Sequence, residues 1–160
     1  YEGDTLNFSI GQGAVAATPL QAAVLLAAVA NDGTVWRPYL VDRVVSPEKK
    51  NILKRKPEVR RHVDLDDRVW STVHRALEEV VHSGSGRGVE RSDLVIGGKT
   101  GTAQNSHGED HSWFSAYAGR PGEPPGLALA VFVENGGHGS TAAVPIAKEM
   151  IDVFFPRTSP

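Results

Sequence analysis

The sequence predicts an α+β fold in which an antiparallel sheet packs against helices. Three extended segments, about Asp93 to Gln104, Ser112 to Gly119 and Leu127 to Glu134, follow one another through short loops at Asn105 to His111 and Arg120 to Gly126, the spacing of antiparallel neighbours. Helical patterns precede this run, and another follows it. The composition is that of one folded domain, with 160 residues, 40% hydrophobic and 22% charged, enough chain for a core and without a dominant disorder signal.

Tyr1 to Ala17 is glycine-rich and polar and reads as a loop. Thr18-Pro19-Leu20-Gln21 then starts a helix: threonine can cap, proline suits the first helical position, and Gln21 sits where a capping-box side chain reaches back. The helix runs to Ala30, stops at Asn31-Asp32-Gly33, and is apolar on all sides, so burial is expected. Val35 to Val45 reads as extended, interrupted by Pro38. Lys49 to Arg61 is a basic insert carrying Lys49, Lys50, Lys54, Arg55, Lys56, Arg60 and Arg61, read as a solvated surface excursion. Asp66 or a neighbour caps a second helix whose apolar stripe is Val69, Val73, Ala76, Leu77 and Val80. Gly84-Ser85-Gly86-Arg87-Gly88 follows as a flexible connector. The last helix places Ala143, Ile146, Ala147, Met150, Ile151 and Phe154 on one side, and Pro156 ends it.

Leu127 to Val133 is apolar at every position. Such a strand is normally covered on both faces and paired on both edges. No later segment offers it another strand, so the sheet is expected to be completed from outside this chain.

Several function classes are disfavoured. A net charge of −2 argues against nucleic acid as a bulk electrostatic partner. With no cysteine, disulfides and thiolate chemistry are excluded. The longest apolar run, Ala22 to Ala30, falls short of the roughly 20 residues that span a bilayer, and no signal peptide is read at the start. Gly98-Lys99-Thr100 suggests a phosphate-binding loop, but Asp93 stands where that loop needs glycine. The glycine-rich connector follows a helix and precedes a strand, which excludes a dinucleotide fingerprint. His107, Glu109, Asp110 and His111 could be imagined around a metal; an exposed polar hairpin is the favoured reading, and no metal or organic cofactor is expected.

The chemistry concentrates in Gly97-Gly98-Lys99-Thr100-Gly101-Thr102-Ala103-Gln104, which ends the apolar run Leu94-Val95-Ile96. A lysine on a glycine-flanked strand presents a point charge to a cleft, and the glycines let a ligand backbone approach closely. Lys-Thr-Gly is one of the motifs shared by penicillin-binding proteins and serine β-lactamases. Its surroundings strengthen the match: Asn7-Phe8-Ser9-Ile10-Gly11-Gln12-Gly13, Thr18-Pro19-Leu20-Gln21, His111-Ser112-Trp113-Phe114 and Val133-Glu134-Asn135-Gly136-Gly137-His138-Gly139 occur in the order seen in class B penicillin-binding proteins. From about Tyr1 to Phe155 the chain resembles the elongation type, the peptidoglycan D,D-transpeptidases. A β-lactamase is disfavoured because the flanking segments match the synthases; a non-catalytic β-lactam-sensing or cell-wall-peptide-binding domain is the alternative.

The resemblance implies a penicillin-binding/serine β-lactamase-like transpeptidase fold, with a five-stranded sheet completed by N-terminal segments. It implies that Lys99 supplies charge to a substrate carboxylate, that the Thr100 and Thr102 hydroxyls contact that carboxylate, and that the Thr102 N–H completes an oxyanion hole. Gly101 would keep the strand clear of the substrate. Lys99 would also depress the pKa of a general-base lysine. Gln104, Trp113 and His138 are candidate cleft-lining residues, Trp113 more as sheet packing, and Gln12 is a supporting residue. The family's nucleophile lies in a Ser-x-x-Lys motif and is followed by Ser-x-Asn, both upstream of Lys-Thr-Gly; the expectation is that residues 1–160 hold neither and form the C-terminal portion of the domain. The implied partners are peptidoglycan stem peptides, β-lactams, the N-terminal remainder of the protein (in the same or a separate chain) and a cell-elongation glycosyltransferase. The implied location is the extracytoplasmic face of the bacterial inner membrane.

Overall fold

A computed structural model of the chain describes residues 2–13 and 15–157. In order these form α1 (Glu2–Ser9), α2 (Pro19–Ala30), four short strands β1 (Thr34–Trp36), β2 (Arg43–Val45), β3 (Asn51–Lys54) and β4 (Val59–His62), and then α3 (Asp67–His82). A single 3-10 turn at Arg87–Val89 leads into the long strands β5 (Val95–Ala103), β6 (His111–Gly119) and β7 (Leu127–Val133), and α4 (Ala143–Phe154) closes the order.

The α+β class holds. The long strands form one antiparallel sheet in the order β5-β6-β7, with Lys99 opposite Ser115, Thr102 opposite Ser112, and Phe114 opposite Val131. Because directly paired residues share a face, this register sorts the sheet into two cores. Ile96, Phe114, Ala116, Leu129 and Val131 pack against Ala143, Val144, Ala147 and Ile151 of α4. On the opposite face, Tyr117 and Ala128 pack against Leu26, Val29 and Ala30 of α2 and Leu77 of α3. β7 is therefore covered on both sides, which accounts for its continuous apolar sequence. Its outer edge has no strand partner among the described residues.

The start of α2 follows the sequence closely. Gln21 N–H donates to the Thr18 hydroxyl at 3.2 Å and Thr18 N–H donates to the Gln21 side chain at 2.8 Å, a complete capping box. Burial of the whole helix does not follow. Leu26, Ala28 and Ala30 are buried, while Leu20 and Leu25 are 60% and 61% exposed, because only one side of α2 lies on the sheet. In α3, Asp66 accepts the Arg68 N–H at 2.8 Å. The buried stripe is rotated from the expected one: Trp70 and Val81 are buried, whereas Val69 and Ala76 are exposed. Trp70, the largest apolar side chain of that helix, decides the rotation by packing under Gly33, where a β-carbon would stand 2.8 Å from its ring.

The loop expected over 1–17 is corrected to a helix over Glu2–Ser9; Tyr1 and Ala14 lie outside the described residues. Its apolar side chains make no stripe, with Leu6 and Phe8 70% and 68% exposed, so the periodic signal that betrays a packed helix is missing. The extended segment and the basic insert fold together as two small sheets, β1 with β4 and β2 with β3. All residues of β2, β3 and β4 are exposed. No helix among the described residues is long and apolar enough to cross a membrane.

Candidate functional site

The far half of β5, from Lys99 to Ala103, is an edge strand whose other side is taken by β6. Strand groups alternate with period two, so Thr100 and Thr102 present their main chain in the same direction. The carbonyls of both are held by side chains rather than by a strand: Lys99 Nζ donates to the Thr100 carbonyl at 2.7 Å, and Gln12 Nε2 donates to the Thr102 carbonyl at 2.9 Å. That direction is therefore the open edge. Lys99 is exposed, and Thr100, Gly101 and Thr102 are half-buried. A cation, two hydroxyls and a strand edge with no strand partner among the described residues are thus gathered within four consecutive residues, suited to an extended anionic peptide.

Gly11 and Gly13, both at φ 73°, make the turn that carries Gln12 to the edge, a backbone conformation that glycine adopts without strain. Behind the strand, Gly97 lies under the Tyr117 ring and Gly98 under Phe114 and Ala116, where β-carbons would collide. These glycines are there for close packing of β5. Tyr117 is 1% exposed and its hydroxyl meets His74 Nδ1 at 3.1 Å and Glu78 at 3.4 Å. Burial first, and then the Glu78 charge, push its phenol well above the usual range.

A second loop lies over the Gly101–Trp113 pair. A β-carbon on Gly139 would stand 2.6 Å from the Gly101 carbonyl oxygen, so only glycine lets the segment lie this close. Ser112 fixes it: the fully buried hydroxyl donates to the His138 carbonyl and accepts the Ala143 N–H, each at 3.1 Å. The His138 side chain is exposed beside this crossing. Trp113 stands opposite Gly101 and packs its ring on Phe132 at 4.6 Å between centroids. Gln104 follows the strand end and is exposed.

The connector after α3 is not flexible. Gly86 is buried, its N–H donates to the Val80 carbonyl at 2.9 Å, and β-carbons at Gly84 or Gly86 would meet the Val80 carbonyl oxygen at 2.9 and 3.2 Å. The seat brings Ser85 Oγ to 2.6 Å from Thr100 Oγ1. Glycines spaced for close approach read in sequence like glycines for freedom, so the sequence carries no signal for Ser85.

The expectation that the chain holds no Ser-x-x-Lys also needs correction, because Ser46-Pro47-Glu48-Lys49 has that spacing. It forms the turn between β2 and β3, not a helix. Ser46 accepts the Lys50 N–H at 3.3 Å, its carbonyl accepts the Lys49 N–H at 2.9 Å, and Lys49 has a positive φ of 62°. A hydrogen bond from Ser46 also holds the Glu48 carboxyl below the usual carboxylate range. A helix brings residues three apart onto one face; this turn does not. No Ser-x-Asn occurs.

His107, Asp110 and His111 tie turns together. His111 Nδ1 accepts the Asn135 N–H at 3.0 Å, Asp110 accepts the Asn105 N–H at 3.3 Å, and His107 meets Ser106 at 2.9 Å. Among the described residues no group of three or more histidine, cysteine or acidic side chains is placed to hold a metal ion.

A family model described as penicillin binding protein transpeptidase domain matches residues 1–152. The chain is 35% identical to the peptidoglycan D,D-transpeptidase MrdA of Acinetobacter baumannii, over 96% of this chain and 24% of that protein. It is 39% identical to the peptidoglycan D,D-transpeptidase PbpA of Mycolicibacterium smegmatis, over 89% and 30% respectively. Among solved structures, it aligns with the imipenem acyl-enzyme complex of penicillin-binding protein A from M. tuberculosis at a TM-score of 0.81 and 33% identity, over 93% of this chain and 33% of that one. It aligns with Pseudomonas aeruginosa PBP2 in complex with WCK 5153 at 0.80 and 36%, over 98% and 33%. The chain thus spans about a quarter to a third of the length of these relatives.

Proposed function

The chain belongs to the penicillin-binding protein transpeptidase family, and on that premise we propose that it is the C-terminal portion of the transpeptidase domain of an elongation-type peptidoglycan D,D-transpeptidase. The observation that carries this reading is the open edge of β5, with Lys99, Thr100 and Thr102 displayed together and both outward carbonyls met by side-chain donors. The relatives' names and the acyl-enzyme complexes of penicillin-binding protein A support it. A strand from the rest of the protein would pair with the free edge of β7.

In the proposed reaction a serine outside these residues attacks the D-Ala-D-Ala carbonyl. Its proton passes to a general base, and the carbonyl oxygen becomes an oxyanion. Here β5 acts: the Thr102 N–H, on the open side of the strand, is one of two donors to that oxygen. A donor of this type contributes about 10²–10³ in rate. Lys99 and the hydroxyls of Thr100 and Thr102 hold the terminal carboxylate. Collapse of the intermediate breaks the peptide bond, D-Ala leaves with a proton, and an amine of a neighbouring stem peptide then resolves the acyl-enzyme. A glycosyltransferase of cell elongation would supply the glycan strands, outside the cytoplasm at the face of the membrane.

The test is second-order acylation of the full-length protein by a fluorescent penicillin across pH. Lys99→Ala should lower the rate by about a hundredfold, as expected for losing a charge-assisted hydrogen bond at a reacting site. Its alkaline rise should move to higher pH, because the base lysine loses a like charge. Lys99→Arg should keep part of the rate, and Ser46→Ala should be fully labelled. A wild type that never labels, or a Lys99→Ala variant with normal rate and pH profile, rejects the assignment.

A further inference from the structure

Thr100 has one hydroxyl proton, and two groups compete to set where it points. Its Oγ1 lies 2.6 Å from Ser85 Oγ, too close for anything but a hydrogen bond. If Thr100 donates, a lone pair faces the ligand site and repels a carboxylate. If Ser85 donates, the Thr100 proton is left for the ligand.

We infer that Ser85 is a positioning residue for recognition of the acyl donor's carboxylate, donating to Thr100 Oγ1 so that Thr100 donates to the carboxylate. The inference rests on the function proposed above. Three features of the fold favour it. Ser85 is exposed, so its remaining lone pairs are satisfied by water and the arrangement strands no polar group. Its loop is seated by the Gly86 N–H on the Val80 carbonyl at 2.9 Å and by the packing of Gly84 and Gly86, so the hydroxyl arrives already placed. The Thr100 carbonyl is occupied by Lys99 Nζ at 2.7 Å, which leaves the hydroxyl as the part of Thr100 still to be oriented. Two O–H bonds in series polarise each other, and the second becomes charge-assisted once an anion docks.

The full-length protein tests this through the carboxylate. Second-order acylation is measured with benzylpenicillin and with its methyl ester, which lacks the charge, on wild type, Ser85→Ala, Ser85→Thr, Thr100→Val and the Ser85→Ala/Thr100→Val double variant. Ser85→Ala should slow benzylpenicillin about tenfold and the ester less than about twofold. Ser85→Thr, which keeps the hydroxyl, should restore most of the rate, and Ser85→Ala should have no further effect in the Thr100→Val background. Equal losses on acid and ester, no loss on either, or full additivity with Thr100→Val overturns the inference while leaving the proposed function standing. A wild type that benzylpenicillin does not acylate removes both.

Discussion

Gln12 and Thr102 stand 90 residues apart in sequence, yet one amide N–H of the first ends on the carbonyl of the second at 2.9 Å. That bond fixes the orientation of the peptide unit following Thr102, next to the N–H proposed for the oxyanion. Gln12→Ala and Gln12→Glu both remove the donor and should slow acylation of the full-length protein by about three- to tenfold, the value of one neutral hydrogen bond, with unchanged far-UV circular dichroism. Rates equal to wild type would reduce Gln12 to a surface residue. At this scale, residue types were legible where their chemistry is local. Lys99, Thr100 and Thr102 announce a charged, hydroxylated strand. Ser85 and Ser112 do not announce themselves, because a serine acquires its meaning from the partner the fold brings to it, Thr100 in one case and the first turn of α4 in the other.

The elements repeat the lesson at longer range. The Thr18–Gln21 capping box was readable because all its atoms lie within one turn. The rotated stripe of α3 was not, since Trp70 is buried by Gly33, a residue far away in sequence. α4 is held at its C-terminal end by Arg91, whose side chain is 2% exposed and which donates to Asp93 at 3.0 and 2.6 Å, to Asp152 at 3.0 Å and to the Phe155 carbonyl at 2.7 Å. The hydrogen bonds from Arg91 hold the Asp93 carboxyl below its usual range, and Lys148, ahead of Arg91, does the same for Asp152. Carboxyls depressed on folding contribute stability that is complete above their unfolded pKa and lost as pH falls through the lower folded values. Thermal melts of the transpeptidase domain should therefore lose stability below about pH 4. Arg91→Met should lower Tm by about 5 °C at pH 7 and by less at pH 3, which lies below the unfolded carboxyl range, so that the ion-pair contribution is already falling there. An equal drop at both pH values would mean that Arg91 contributes packing alone.

Across the whole molecule, two kinds of surface lack cover among the described residues: the unpaired backbone edge of β7, and apolar side chains at Leu20 and Leu25 on the outward side of α2 and at Leu6 and Phe8 of α1. Residues 1–160 expressed alone should bind a hydrophobic dye and self-associate, and should do neither when co-expressed with the rest of the domain. A dye-silent monomer with a cooperative melt would show that β7 needs no added strand. The sequence alone determined what depends on short range. Capping, helix ends, the three strands and their antiparallel hairpins follow from side chains within a few residues of each other, and so does the motif that marks the family. Tertiary structure alone decided which face of α2 and α3 is buried and that the glycines after α3 build a fixed seat. It also decided that Ser46-Pro47-Glu48-Lys49 is a surface turn and that Gln12 and Ser85 converge on one strand. Each of these depends on contacts between residues distant in the chain, and burial energy is set by the neighbour that arrives, which local pattern does not encode.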